Sequence, residues 1–456
     1  MHNAQCYIGE TALNFQFSLP LSKSVRAREL VLDALNGRCV EVEDDNDDIF
    51  VLSRALNQCT MHNAQLSDHS DNSQLSILNL NASGTALRFL TAFCAVSEGS
   101  FLLTGSKRLC ERPIKPLVNA LLGMGAKIEY VEKEGFAPLL IEGGKLNGGR
   151  VSLDASVSSQ FVSALMLIAD RVEGGVEIEY EGNVVSQSYI KLTESVIERY
   201  KRGVCCSGEK DWSSATVWYA AMAVLKKGKF LLEGLRLDSC QPDRAIVEVF
   251  EKLGVRTIEV DNGVEIESNG VVVDKLVLDC KNMPDAVMYI AVAACLLGVD
   301  FEISGVETLR VKESDRIEAL ITEMRKCGYI IQCTMHNFCD KRGQSNLFGL
   351  SSGAKITTER SNVQCIMHNA QCTMHNSQCI MHNAQCTIFA EQKSQPEGVI
   401  HNLQLDGQVP RIKTYNDHRV AMAMAVVGLT REIEIENPEV VNKSYPGFWE
   451  EMKKIK

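Results

Sequence analysis

Apolar residues recur at helical spacing in four stretches that each run into a glycine: 114–128 (IKPLVNALLGMGAKI), 190–204 (IKLTESVIERYKRGV), 245–258 (AIVEVFEKLGVRTI) and 317–330 (IEALITEMRKCGYI). Each predicts an amphipathic helix closed by Gly125, Gly203, Gly254 or Gly328 and followed by an extended apolar run. Between them, 86–96, 161–169, 215–225, 286–297 and 420–429 are rich in small apolar residues and predict further helices. Each of these precedes a turn and a strand-like run, at 100–104, 176–180, 229–233, 300–304 and 432–436.

Two helices and several strands per unit, repeated about six times, predict an α/β protein built by duplication. The closing glycines lie 78, 51 and 74 residues apart, so the second interval is about one hairpin short. A chain of 456 residues with 45% hydrophobic content exceeds one ordinary core, which predicts two domains. A second repeat is literal: MHNAQ or a near copy occurs at Met1, Met61, Met335, Met367, Met374 and Met381. Within it Cys365/His368, Cys372/His375 and Cys379/His382 have a spacing that zinc sites use. Near-identical copies at scattered places read instead as repeated coding sequence in tolerated surface loops, at 59–66, 333–340 and 362–398, and no metal is assigned.

The net charge of −11 argues against general nucleic-acid or membrane binding, so an anionic ligand needs a local basic cluster. No run of about 18 apolar residues and no secretory leader pattern is present, which reads as cytoplasmic. The seventeen cysteines therefore read as reduced thiols, several of them, such as Cys94 and Cys295, small hydrophobes in helical runs.

Candidate chemistry sits at helix starts. LPLSKSVRAR (19–28) sets Lys23 in a loop ahead of a helix beginning near Ser24, which suits either an ordinary cap or an anion site. In NASGTALR (81–88), Gly84 permits close approach of a ligand or tight helix packing. CERPI (110–114) puts Arg112 before a proline-started helix, as a surface charge or a fork for a carboxylate. SVSSQF (156–161) offers hydroxyls and an amide that can cap a helix and bind a polyol or phosphate. RVKESDR (310–316) packs three cations and two carboxylates into seven residues, more than a capping turn needs. YNDHR (415–419) repeats that logic, and Lys443 adds a further cation.

In this order SKS, ASGTALR, ERPI, SVSSQF, VSQSYI, MPDA, RVKESDR, YNDHR and the late lysine resemble the 5-enolpyruvylshikimate-3-phosphate synthase family over nearly the whole chain. The resemblance implies a two-domain enolpyruvyl-transferase fold, each domain of three βαβαββ units with inward helices, one unit here shortened. It implies domains of 1–20 with 211–456 and of 21–210, helix starts facing a cleft between them, and no metal or organic cofactor. It also implies a monomer acting on phosphoenolpyruvate and shikimate-3-phosphate. Phosphoenolpyruvate would be held by Lys23, Gly84, Arg112, Gln160, Arg316, Arg419 and Lys443. Shikimate-3-phosphate would rest on Lys23, Ser24, Arg28, Ser158, Ser159, Gln160, Ser186, Tyr189, Asp285 and Lys312. Glu313 and Lys23 would move protons in an addition followed by an elimination, with Asp285 near the hydroxyl as an orienting group or base.

Three departures stand out. Ala82 occupies a place where the family commonly has Asn, with Asn81 one position off, and Thr308 stands where some members have Asn. The interval YKRGVCCSGEKD (200–211) omits about a hairpin, which could expose a sheet edge. The alternatives are the related UDP-N-acetylglucosamine enolpyruvyl transferases, which employ a loop cysteine that Cys110 would match, and a catalytically impaired binding protein of the same fold.

Overall fold

Helices made of small apolar residues occupy the interior. In a computed structural model that describes residues 14–42, 46–66, 75–154, 158–181, 187–204, 208–337, 366–367, 384–390 and 409–456, the helices Gly84–Ala95, Ser159–Ile168, Trp212–Leu225, Val287–Leu297 and His418–Val427 are buried almost throughout. A helix without a polar face is stable only when covered on all sides, and here mixed sheets supply the cover.

Buried hydrophobic residues form two separate clusters. One holds Phe17, Leu19 and residues from Trp212 to Met452, and the other runs from Val25 to Val196. The chain changes cluster twice, side by side: Leu21 bridges Lys210, Ser22 N donates to Glu209 O (2.7 Å) and Asp211 N donates to Pro20 O (3.1 Å).

Three sheets follow one plan, a parallel pair extended by an antiparallel hairpin. In the first cluster Asn14–Phe17 pairs parallel with Lys229–Glu233, and Gly263–Val272 and Leu253–Val260 follow antiparallel. Lys275–Asp279 and Asp300–Ser304 likewise lead to Ala384–Ala390 and Gln332–Asn337, with the two residues Ile366–Met367 added parallel to the last strand. In the second cluster the order is Leu75–Asn79, Gly99–Thr104, Leu139–Gly143, Lys127–Tyr130. Among the described residues Asn147–Asp154 with Glu173–Glu181, and Arg411–Ile412 with Glu434–Ile435, remain parallel pairs. The first of these belongs to the unit expected to be short. Glu173, Glu177 and Glu179 stand exposed along its outer strand, charges that discourage pairing with another edge.

All four closing glycines take positive φ, at +91°, +73°, +90° and +86° for Gly125, Gly203, Gly254 and Gly328, the conformation that ends a helix without a Cβ clash. The repeat copies depart from expectation. Residues 59–66 finish the helix Asp47–Leu66 instead of forming a loop, as Met, Ala, Gln and Leu without Gly or Pro allow. Parts of 333–340 and 362–398 are strands, with Cys333 paired to Ile388 and both buried. The Cys-x-x-His pairs lie outside the described residues. Among the described residues no helix is long and apolar enough to cross a membrane, and no group of three His, Cys, Asp or Glu is placed to hold a metal.

Candidate active site

Helix starts from both clusters meet at one solvent-open cleft. Its walls carry the first turns of Lys23–Leu35, Gly84–Ala95, Ser159–Ile168, Arg316–Lys326 and His418–Val427, with Tyr189 and the short turn Pro284–Ala286 beside them. Ser22, Ser83, Ser158, Asp315 and Asp417 cap these helices by accepting from main-chain N–H groups. The positive dipole ends therefore converge on one volume. Among the described residues seven cations line it (Lys23, Arg28, Arg88, Arg112, Lys312, Arg316, Arg419) against three carboxylates (Asp48, Asp285, Glu313). A chain of net charge −11 thus carries a local positive field.

Arg316 organises the centre. Its guanidinium, 2% exposed, donates to Asp417 (Nε to Oδ2, 2.8 Å; Nη2 to Oδ1, 3.2 Å), to Asp285 Oδ1 (2.8 Å) and to Glu313 Oε2 (2.9 Å). Lys443 Nζ donates to the other Glu313 oxygen at 2.9 Å, Lys312 Nζ lies 3.4 Å from Asp285, and Lys23 Nζ donates to Asp48 Oδ2 at 2.9 Å. On the opposite wall Arg28 donates to Thr193, to Ser163 and to the carbonyls of Ser24 and Tyr189. Gln160 Nε2 donates to Thr85 Oγ1 at 3.0 Å, and Tyr189 Oη lies 3.5 Å from Asp285 Oδ2 across the cleft.

These contacts set the charge states. Burial alone would raise Glu313, but Lys443, Arg316 and Arg112 outweigh it and hold the carboxyl well below the usual range. Asp285 is lowered in the same way: burial opposes, and Lys312, Arg316 and Arg419 prevail. For Lys23 burial pulls down, yet Asp48 and then Glu313 leave it raised. Burial, then the charge of Arg419, drives His418 well below its ordinary value, so its imidazole is neutral. Buried polar atoms without a hydrogen-bond partner among the described residues gather on these walls: Arg88 Nε, Arg112 Nε, Thr308 Oγ1, His418 Nδ1 and Arg419 Nε. Buried polar groups are ordinarily satisfied, and this concentration fits a site for a highly polar, anionic ligand.

Of the residues singled out from sequence, Lys23, Ser24, Arg28, Gly84, Arg112, Ser158, Ser159, Gln160, Tyr189, Asp285, Lys312, Glu313, Arg316 and Arg419 all line the cleft. Lys443 joins through Glu313, and Ser186 lies outside the described residues. Thr308 lines the cleft, whereas Asn81 occupies a left-handed turn (φ +50°) and lends its carbonyl to Ser106 N (2.7 Å). Cys110 is not among the lining residues; its Sγ faces Gly105 O at 3.8 Å, and burial pushes the thiol up. Sequence reasoning missed Asp48, which reads as part of a solvated acidic run, and Arg88. Arg88 ties Gly84 O (2.9 Å) to Pro113 O (3.2 Å) and so joins the ASGTALR turn to the ERPI loop.

The family model for EPSP synthase (3-phosphoshikimate 1-carboxyvinyltransferase) matches residues 9–210, 201–360 and 372–452. A 3-phosphoshikimate 1-carboxyvinyltransferase of Bacteroides fragilis is 33% identical, covering 96% of this chain and 94% of its own. One of Tolumonas auensis is 31% identical, covering 95% and 94%. A solved structure of EPSP synthase from Acinetobacter baumannii is similar in fold, with a TM-score of 0.62 at 19% identity over 97% of this chain and 96% of that one.

Proposed function

The chain belongs to the EPSP synthase family, and from that premise we propose how its cleft carries out the family's reaction. As a 3-phosphoshikimate 1-carboxyvinyltransferase it transfers the enolpyruvyl group of phosphoenolpyruvate to the 5-hydroxyl of shikimate-3-phosphate and releases phosphate, a step toward chorismate and the aromatic amino acids. Its substrates are small anions. In our reading it works as a cytoplasmic monomer, without nucleic acid or membrane, and divides into domains at 20/21 and 210/211, where the hydrophobic clusters change over.

We assign phosphoenolpyruvate to Lys23, Gly84, Arg112, Gln160, Arg316, Arg419 and Lys443. Shikimate-3-phosphate falls to Lys23, Ser24, Arg28, Ser158, Ser159, Gln160, Ser186, Tyr189, Asp285 and Lys312. The carrying observation is Glu313, a carboxylate only 14% exposed and gripped by Lys443 and Arg316 at the meeting of the two walls. In the addition step the 5-hydroxyl oxygen bonds to C2 of phosphoenolpyruvate and loses its proton, while C3 gains one. In the elimination C3 returns a proton and the C2–O bond to phosphate breaks.

Asp285, held ionised by Lys312, Arg316 and Arg419, is suited to orient the hydroxyl, and it accepts the proton once the charge of the bound substrates offsets those cations. Glu313 is ionised in the unliganded field. The carboxylate and phosphate of phosphoenolpyruvate would neutralise the cations that depress it, letting its pKa climb until it can carry a proton to and from C3. Lys23, paired with Asp48, is the second candidate for that transfer. Phosphate release measured with and without shikimate-3-phosphate, in wild type and Glu313→Ala, tests the reading. Release that requires the shikimate and drops about 10²–10⁴-fold in the variant supports it; release independent of the shikimate refutes it.

A further inference from the structure

We propose that Arg108, outside the ligand cluster, is a positioning residue: a latch that holds the two walls of the cleft together by gripping the main chain of Lys312 and Glu313. The inference rests on the catalytic reading above. Arg108 lies on the short helix Lys107–Cys110, capped by Ser106, and the neighbouring Leu109 is buried in the cluster that runs from Val25 to Val196. From there Nη2 donates to Lys312 O at 3.1 Å and Nε to Glu313 O at 3.3 Å, over about two hundred residues of sequence. Lys312 and Glu313 follow the turn Glu307–Val311, whose Leu309 is buried in the other cluster. One guanidinium therefore spans two hydrophobic cores, each end fixed by a buried leucine next to it or nearby.

The geometry suits arginine alone. Nε and Nη2 lie on one edge of a planar fork and meet two successive peptide carbonyls, which a lysine could satisfy only in part. The acceptors are carbonyls, so the latch does not depend on the protonation of Lys312 or Glu313. Arg108 is about half exposed and does not line the cleft, and its ion pair with Glu111 at 3.6 Å steadies it from its own side. On another rim Ser188 Oγ donates to Asn282 O at 2.7 Å, so a second contact outside the ligand residues joins the same two walls. Loss of the latch lowers the fraction of molecules in which Glu313 faces Lys23 and Arg112. Apparent affinity for both substrates falls by that fraction.

The test uses the full chain as wild type, Arg108→Ala and Arg108→Lys. Without ligands, small-angle scattering is expected to give Arg108→Ala a larger radius of gyration than wild type. With both substrates, kcat/KM is expected to fall about tenfold, carried by KM, with the pH profile of kcat unchanged and Arg108→Lys intermediate. An exposed pair contributes little to stability, so melting should move by less than about 2 °C. An unchanged radius of gyration overturns the proposal, as does kcat/KM within twofold of wild type or a loss of kcat at constant KM. A wild type that does not turn over would defeat the enzymatic reading, while the scattering comparison would still decide the latch.

Discussion

Arg316 and Asp417, buried and 101 residues apart, share a bidentate contact of 2.8 and 3.2 Å that ties the RVKESDR turn to the YNDHR turn. Asp417 also caps the helix His418–Val427 through Arg419 N (2.9 Å) and accepts from Ser314 Oγ (2.9 Å). Its carboxylate thus offsets a buried cation, two hydrogen-bond donors and a helix dipole at once. Asp417→Ala is expected to cost about 3–5 kcal/mol, because one partner of a buried pair is left behind. Asp417→Asn should cost less, since Asn caps nearly as well. Denaturant midpoints check both, and wild-type values in the Ala variant would sink the argument.

Gly84 begins a helix directly beneath two arginines. A Cβ added there would lie 2.6 Å from Arg112 Cζ and 2.6 Å from Arg88 Nη1, so Gly84→Ala must push Arg112 aside. The expected outcome is a rise of about tenfold or more in KM for phosphoenolpyruvate with a smaller rise for shikimate-3-phosphate, since displacing a charge-assisted contact costs about 1.5–3 kcal/mol. Steady-state kinetics with each substrate varied in turn would decide it. Equal rises for both substrates would argue that the strain is global.

What the sequence disclosed was local. The strands Lys229–Glu233 and Asp300–Ser304 fall at the residues expected for them, and the small-residue helices to within a few, because spacing and turn residues act over one element. The strand expected at 432–436 shrinks to Glu434–Ile435, where among the described residues only Arg411–Ile412 is paired with it. Site residues are legible because they cluster at helix starts. Their partners are not: Lys23 meets Asp48 across 25 residues, Tyr189 meets Asp285 across 96 and Lys443 meets Glu313 across 130. Asp48 reads as one more solvated acid until the fold brings Lys23 to it.

The Lys23–Asp48 pair governs when Lys23 holds its proton. Burial lowers Lys23, and the Asp48 charge is the largest opposing influence. Asp48→Asn should let burial prevail, moving the alkaline limb of kcat/KM to lower pH. A lysine raised in the fold contributes stability below its unfolded pKa and loses it as pH rises through the folded value. The variant should therefore also lose stability at neutral pH. An alkaline limb unmoved in Asp48→Asn would remove Lys23 from the proton-transfer scheme.

Asp243 behaves in the opposite sense. It is 2% exposed, bonded to Ser213 Oγ, with Oδ1 unpartnered among the described residues, and burial followed by the Asp285 charge pushes it up to about 7. An unfolded aspartate titrates near 4. Between about 4 and 7 the folded protein therefore binds the extra proton, and stability falls as pH rises through that window. Above 7 a buried carboxylate that Ser213 and Arg419 offset only in part remains as a constant cost. An asparagine side chain in its place would mimic the protonated acid at every pH, so Asp243→Asn should match wild type near pH 4 and gain progressively to about pH 7. The gain should then level off at about 2–4 °C or more in melting temperature. Melting curves for both proteins from pH 4 to 9 make the comparison, and because Asp285, whose charge acts most on Asp243, stays ionised throughout that range, their difference reports Asp243. A difference independent of pH would mean that Asp243 is already ionised at the acid end, with Ser213 and Arg419 stabilising its charge more than burial opposes it.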